Sequence, residues 1–356
     1  MKEKKPSVLV TFDSMRYPNT GFFYFGKSLA ESLIKENRGE LDISLYTHSS
    51  VSRKLLPTST RLINKSLYHK LIFPYKFDLT HFSDQYCHPK PWLVKGKKII
   101  TIHDLNPIFE LESNPTKQKR YIKKMQGYVR IFDHIVTISN YVAEQIIYYF
   151  PESKEKISVI YNGADKLLPV ESGYVPLYQP SRPFLFTIGI LSPRKNFHVL
   201  PALLENNNVE LVIAGIINEG YKEKIIDEAQ KFNCVDRVKI IGTITDNDRA
   251  FYYQNCEAFL FPSLAEGFGL PVIEAMHFGK PVFLSRLTSL PEIGGEEAFY
   301  FESFEAIKMQ EVFERGIHKV KDPQEETSIC KHAETFQWSR TAAQYLDLYA
   351  EVLKAK

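Results

Sequence analysis

Cysteine is scarce. Cys87, Cys234, Cys256 and Cys330 stand apart, with no C-x-x-C and no paired spacing. That excludes a disulfide framework and a cysteine-based metal site, and fits reduced thiols used for packing. Long apolar runs are missing as well: FLFTIGIL and AFLFPS fall far short of the ~18 residues that span a bilayer. MKEKKPSVLV enters a strand without the apolar core of a signal peptide, so the protein is expected to stay in the cytoplasm. No G-x-G-x-x-G follows the first strand, where TFDSMRYPNTG stands instead, and this disfavours a nicotinamide-dependent dehydrogenase. Repeats and low-complexity tracts are absent. With 44 % apolar, 24 % charged and 13 % aromatic residues, disorder is not expected and sizeable cores are.

What is present has the pattern of α/β units. A chain of 356 residues suits two domains. Short β-branched or aromatic runs alternate with longer periodic segments, the signature of strand–helix–strand units around parallel sheets. Strands are expected at SVLVTFD, LDISLYTH, DLTHF, KKIITIHD, HIVTIS and KISVIYNG, then at FLFTIGI, LVIAG, VKIIG, AFLFPS and PVFLS; helices are expected near 23–37, 116–131 and 140–149. This gives two doubly wound sheets, a first domain over 1–168 and a second over 182–335. The proline-rich KLLPVESGYVPLYQPSRP reads as the linker between them. The last segment, 338–356, is a helix with Trp338, Tyr345, Leu346, Tyr349 and Leu353 on one side, expected to pack back on the first domain.

The net charge of +3 hides an asymmetry: residues 1–170 carry 26 Lys and Arg against 16 Asp and Glu, and the remainder carries 19 against 26. Much of the excess lies in 52–76 and 117–130, the latter interleaving cations with Tyr121, Ile122, Met125 and Val129. Two readings stand. Such segments suit an anionic lipid surface or an acidic acceptor, and they are equally what a solvated basic face looks like. Nucleic acid is not an expected partner.

Ligands of open α/β sheets bind beyond the carboxyl ends of the strands. In SLAEGFGLPVIEAMHFGKPV, residues 263–282, a strand ends and a glycine turn follows; a helix then starts near Leu270, with Pro271 at its beginning and Gly279 closing it. First-turn amides suit a phosphate, and Gly267 and Gly269 let backbone approach a ligand. Glu274 is placed to accept hydrogen bonds from a vicinal diol such as a ribose, and Glu266 reaches another part of the same ligand. The plainer readings are a loop charge for Glu266 and a dipole-stabilising acid for Glu274. Arg194 and Lys195 follow another strand and suit a diphosphate, although Arg-Lys pairs are often merely solvated. His103 ends a strand in TIHDL, where a histidine is as often a packing residue as a functional one. Asp246-Asn247-Asp248 resembles a metal-binding D-x-D, but a helix start at Thr245 or Asp246 explains it as capping, and no metal is expected.

The E-x7-E spacing of EGFGLPVIE resembles the donor motif of the retaining GT-B glycosyltransferases of family 4. VIYNGAD, TIGILSPRKN, LVIAG, VKIIGTITD, AFLFPSLAEGFGLPVIEAMHFGKPV and LPEIGGEEAFYF stand in that family's order, so the resemblance covers nearly the whole chain. It implies a GT-B architecture, two Rossmann-like domains facing across a cleft, and a nucleotide sugar as substrate rather than cofactor. It also implies roles. Arg194, Lys195, Glu266 and His103 would be catalytic. Gly21, Gly189, Phe268, Gly269, Leu270 and Glu274 would bind the donor, and Asp104 and Ser139 the acceptor. Gly21 matches a glycine loop that in many relatives has two adjacent glycines; here Thr20 takes one position. The implied reaction is transfer of a hexose, with retained configuration, from a nucleoside-diphosphate sugar to a glycan or a lipid-diphosphate-linked oligosaccharide. GDP-mannose is favoured and a UDP-hexose comes next; bacterial surface polysaccharide synthesis at the inner membrane face is the setting. A non-catalytic nucleotide-sugar scaffold and a GT-B sugar-nucleotide epimerase are the alternatives.

Overall fold

In the first strand Val8, Val10 and Phe12 pack with one apolar cluster and Leu9 with another, because successive side chains point to opposite faces of a sheet. A strand buried on both faces needs helices on both sides, and the computed structural model has them. It describes residues 4–18, 20–319 and 323–355. In chain order the first part contains β1 (Ser7–Phe12), α1 (Gly21–Glu36), β2 (Asp42–Thr47), β3 (Arg61–Asn64), β4 (Leu79–Phe82), β5 (Lys97–Ile102), α2 (Asn106–Glu110), α3 (Pro115–Ile131), β6 (His134–Thr137), α4 (Asn140–Tyr149) and β7 (Ile157–Val159). The second part contains β8 (Phe184–Ile188), β9 (Glu210–Ala214), α5 (Glu219–Lys231), β10 (Val238–Gly242), α6 (Asp246–Asn255), β11 (Ala258–Phe261), α7 (Leu270–Met276), β12 (Val282–Ser285), α8 (Leu290–Gly294), β13 (Phe299–Phe301), α9 (Ala306–Lys319) and α10 (Pro323–Ala333). The chain ends with α11 (Trp338–Lys354).

Two compact units result, Met1–Gly163 with Gln337–Lys356, and Ala164–Phe336. The first has a seven-stranded sheet in the order β3-β2-β1-β4-β5-β6-β7; the second has a six-stranded sheet, β10-β9-β8-β11-β12-β13. Every pairing is parallel. The order reverses between β1 and β4 and between β8 and β11, and those two points are where such sheets leave a crevice for a ligand.

In the first unit α1 and α11 cover one face through Phe25, Leu29, Leu33, Trp338, Ala342, Tyr345 and Tyr349. On the other face Met125, Tyr128 and Val129 of α3 are buried, with Tyr121 and Ile122 against the same core. The apolar side of 117–130 therefore serves the fold; α3 shows solvent Lys117, Lys119 and Lys123, while Lys124 is half-buried and donates to the Gln85 carbonyl at 3.0 Å.

The proline-rich stretch before β8 is tied to the second unit. The Tyr174 hydroxyl and the Leu177 amide donate to Asp248 Oδ1 at 3.0 and 2.9 Å, and the Tyr178 hydroxyl donates to Glu210 at 2.8 Å. Asp248 also closes a capping box with Thr245 at the start of α6, so both of its carboxylate oxygens meet structural donors; this explains the D-x-D by capping. Among the described residues no three His, Cys, Asp or Glu converge as metal ligands, and no helix is long and apolar enough to cross a membrane.

Candidate active site

The loops leaving β8 and β11 build the second unit's crevice. After β8 the amide of Gly189 donates to the Ala214 carbonyl at 3.0 Å; a Cβ on Gly189 would stand 3.2 Å from Lys195 Cε, so the small residue leaves the lysine its path. A 3₁₀ turn over Pro193–Lys195 then aims two cations at the loop after β11. Lys195 Nζ donates to Glu266 Oε1 at 2.6 Å, and Arg194 Nη1 lies 3.6 Å from Oε2 while donating to the Ala265 carbonyl at 2.8 Å. The Leu264 amide returns a bond to the Arg194 carbonyl. Both Lys195 and Glu266 are buried. Burial pulls the Lys195 ammonium below its ordinary value, and Glu266 opposes that shift. A buried charge must be paired or hydrogen-bonded, and this pair meets that requirement at the rim of the sheet.

Glu274 is held separately. It lies in α7, buried, with Tyr253 donating to Oε2 at 3.0 Å and Arg249 Nη1 at 3.4 Å from Oε1. Burial pushes its carboxyl above the ordinary value, while Arg249 and Tyr253 pull it back. Arg249 in turn meets Asp246 at 3.1 Å. Gly269 caps α7 with φ +122°, a conformation that L side chains rarely adopt. Leu270 is the first helical residue and Pro271 the second; Met276 is the last, and Gly279 turns left-handed just beyond. Phe268 is buried, its ring edge-on to Phe336.

Thr288 and Ser289, beyond β12 and just ahead of the LPEIGGEEAFYF motif, clamp this loop. The Glu266 amide donates to Thr288 Oγ1 at 3.1 Å, and the Ser289 hydroxyl donates to the Glu266 and Phe268 carbonyls at 3.1 and 2.8 Å. Thr288 has φ +56°, an outlier for a β-branched residue. Arg249 and Tyr253 do not stand out in the sequence. The one available signal is position: Thr288 and Ser289 lie just past a strand's carboxyl end.

The first unit collects its own groups at the β1–β4 reversal. Asp13 Oδ2 accepts from Lys65 at 2.8 Å, with Arg16 at 3.7 Å and His88 at 3.9 Å; burial and Lys65 lower the His88 pKa to about 4. His103, buried beyond β5, is bonded through Nε2 to the Ser83 carbonyl at 2.8 Å and meets Phe22 and Phe25 edge-on. The carbonyl orients this ring, and burial lowers its pKa to about 4. Asp104 accepts from the Asn106 amide at 3.1 Å. Ser139 is fully buried, and its hydroxyl accepts from the Val142 amide at 3.2 Å as the cap of α4. Thr20 caps α1, and a Cβ on Gly21 would meet nothing within 4 Å.

Two parallel sheets of this order, each with polar groups gathered at its reversal point, define the GT-B class of α/β protein. The structure of sucrose-phosphate synthase from Thermosynechococcus elongatus superposes with a TM-score of 0.76 over 99 % of this chain and 100 % of that one, at 17 % identity. The chain belongs to the group 1, or family 4, glycosyltransferases, a family of retaining hexosyltransferases: residues 33–166 match Glycosyltransferase Family 4 and residues 177–328 match Glycosyl transferases group 1. Among curated relatives, the serotype-specific mannosyltransferase WbdA of Escherichia coli is 29 % identical over 74 % of this chain and 34 % of its own length. The O-antigen chain mannosyltransferase RfbU of Salmonella typhimurium is 28 % identical over 56 % of this chain and 55 % of its own. The matched region thus spans about a third to about half of these relatives' length.

Proposed function

We propose that this protein transfers a hexose, with retention, from a nucleoside-diphosphate sugar to a glycan or lipid-diphosphate-linked glycan in bacterial surface polysaccharide synthesis. The observation that carries this reading is the buried Lys195–Glu266 pair beside Arg194 at the β8–β11 reversal. When the bond between sugar and diphosphate breaks, negative charge builds on the leaving group, and preorganised cations in a buried site stabilise it strongly. Glu266, already oriented by Lys195 and Thr288, is assigned the hydroxyls of the transferred sugar; Glu274, fixed by Arg249 and Tyr253, is assigned the ribose diol. Phe268, Gly269 and Leu270 are assigned backbone contacts to sugar and phosphate, and Gly189 the approach beside Lys195. In the first unit Gly21 and His103 are assigned to the donor and Asp104 to the acceptor. The reaction would be a front-face substitution through an oxocarbenium-like transition state, the departing phosphate oxygen helping to take the acceptor proton.

The mannosyltransferase names of the relatives support GDP-mannose as donor ahead of a UDP-hexose. The test is nucleoside-diphosphate release from GDP-mannose and UDP-hexoses, with and without a glycan acceptor. Acceptor-dependent release of GDP is expected. Absence of release from every donor overturns the reading in favour of a scaffold, and isomerised donor overturns it in favour of an epimerase.

A further inference from the structure

The first unit carries an apolar turn that its own core does not use. Ser66 caps a 3₁₀ turn, Leu67–Lys70, and the turn continues through Ile72, whose amide donates to the Tyr68 carbonyl at 3.1 Å. His69 and Phe73 point inward: both are buried, their rings are 5.4 Å apart, and the His69 ring lies 3.4 Å from the Tyr46 hydroxyl. With those two as anchors, Leu67, Tyr68, Leu71 and Ile72 are left 78 %, 54 %, 75 % and 51 % exposed. At helical spacing these four share one outer face. Single exposed apolar residues are ordinary, whereas four on one face indicate an interaction surface.

Charge says what the surface meets. From Ile43 to Phe77 the sequence has no Asp or Glu and six Lys and Arg. Lys70 and Lys76 are exposed within the segment, and the exposed Arg61 stacks on Tyr75, its guanidinium 5.6 Å from the ring centre. Exposed leucine and tyrosine in a segment that carries cations and no acid suit the boundary of an anionic bilayer, where apolar side chains enter the headgroup region and cations meet lipid phosphates. A second copy of the chain fits poorly. Association would bring two cationic rims together, and four side chains supply only part of the ~800 Å² per partner of a stable interface.

We propose that residues 66–72 seat the first unit on an anionic lipid surface, Leu67, Tyr68, Leu71 and Ile72 entering the interface while Arg61, Lys70 and Lys76 bind lipid phosphates. The lysines of α3 add attraction without insertion, because that helix turns its apolar residues into the core. The assignment rests on none of the donor-site reading and holds whichever nucleotide sugar is used.

The test is co-sedimentation of the full chain with phosphatidylcholine vesicles, with and without phosphatidylglycerol. Binding is expected only to the anionic vesicles. The double variant Leu67→Ser, Leu71→Ser should weaken it by at least about ten-fold, and Lys70→Gln and Lys76→Gln by about five-fold each. Thermal midpoints should stay unchanged, since all four side chains are exposed. Soluble glycerol phosphate should not compete, which separates a lipid surface from a phosphate pocket. Equal binding of parent and leucine variant, equal binding to neutral vesicles, competition by glycerol phosphate, or a dimer in light scattering that the leucine variant abolishes would each overturn the proposal.

Discussion

Lys195 and Glu266 are each costly alone and tolerable together. Replacing Lys195 by Met leaves a buried carboxylate without its main partner, which costs about 3–5 kcal/mol, and removes a cation assigned to the leaving group, for an expected loss of about 10²–10³ in turnover. The double variant Lys195→Met, Glu266→Gln should therefore regain most of the lost thermal midpoint and none of the donor turnover; recovery of both in a release assay would make the pair merely structural. Thr288 gives the opposite combination. Its left-handed backbone carries roughly 1–2 kcal/mol of strain, kept where its hydroxyl receives the Glu266 amide. Thr288→Gly should hold or raise the melting temperature while kcat/KM for the donor drops about five-fold, the worth of one hydrogen bond of about 1 kcal/mol. A loss of stability without a kinetic change would rule out a positioning role. Glu266, Glu274, Arg194 and Lys195 stand out in the sequence because their motifs are local. Arg249, Tyr253, Thr288 and Ser289 do not, because their work is done across the fold.

At the scale of elements, α11 is docked by a buried polar chain as well as by packing. His81 on β4 pairs with the Tyr349 hydroxyl through Nδ1 at 2.6 Å and with Thr101 through Nε2 at 2.8 Å, and Thr101 meets the Tyr345 hydroxyl at 2.8 Å. Burial, helped by His103, lowers the His81 pKa to about 3. An unfolded histidine takes a proton below about 6.5, so between those values the unfolded chain binds more protons and stability is lost as pH falls. Thermal midpoints measured from pH 7 down to 5 should decline more steeply for the parent than for His81→Gln, although the variant begins lower; parallel slopes would remove His81 from the acid response. Most elements were legible from their periodicity. β3 and β13, of four and three residues, were not: both are edge strands, and each exists because a single neighbour's edge offers it hydrogen bonds.

For the whole molecule, charge and topology divide the work. The basic first half holds the turn proposed to meet lipid, and the second half holds the two cations assigned to the diphosphate. With Arg194 and Lys195 assigned that charge, chelation by EDTA should leave nucleoside-diphosphate release unchanged; a loss restored by added magnesium would mean that the cations do not suffice. Two parallel sheets and the family's E-x7-E spacing were readable from the residues alone, because apolar periodicity and glycine-bounded loops are local properties. Which side of an amphipathic segment meets water was not. The 117–130 and 66–72 segments both mix cations with apolar residues, and only the packed structure turns the first inward and leaves the second outward, since burial depends on what the rest of the chain brings alongside.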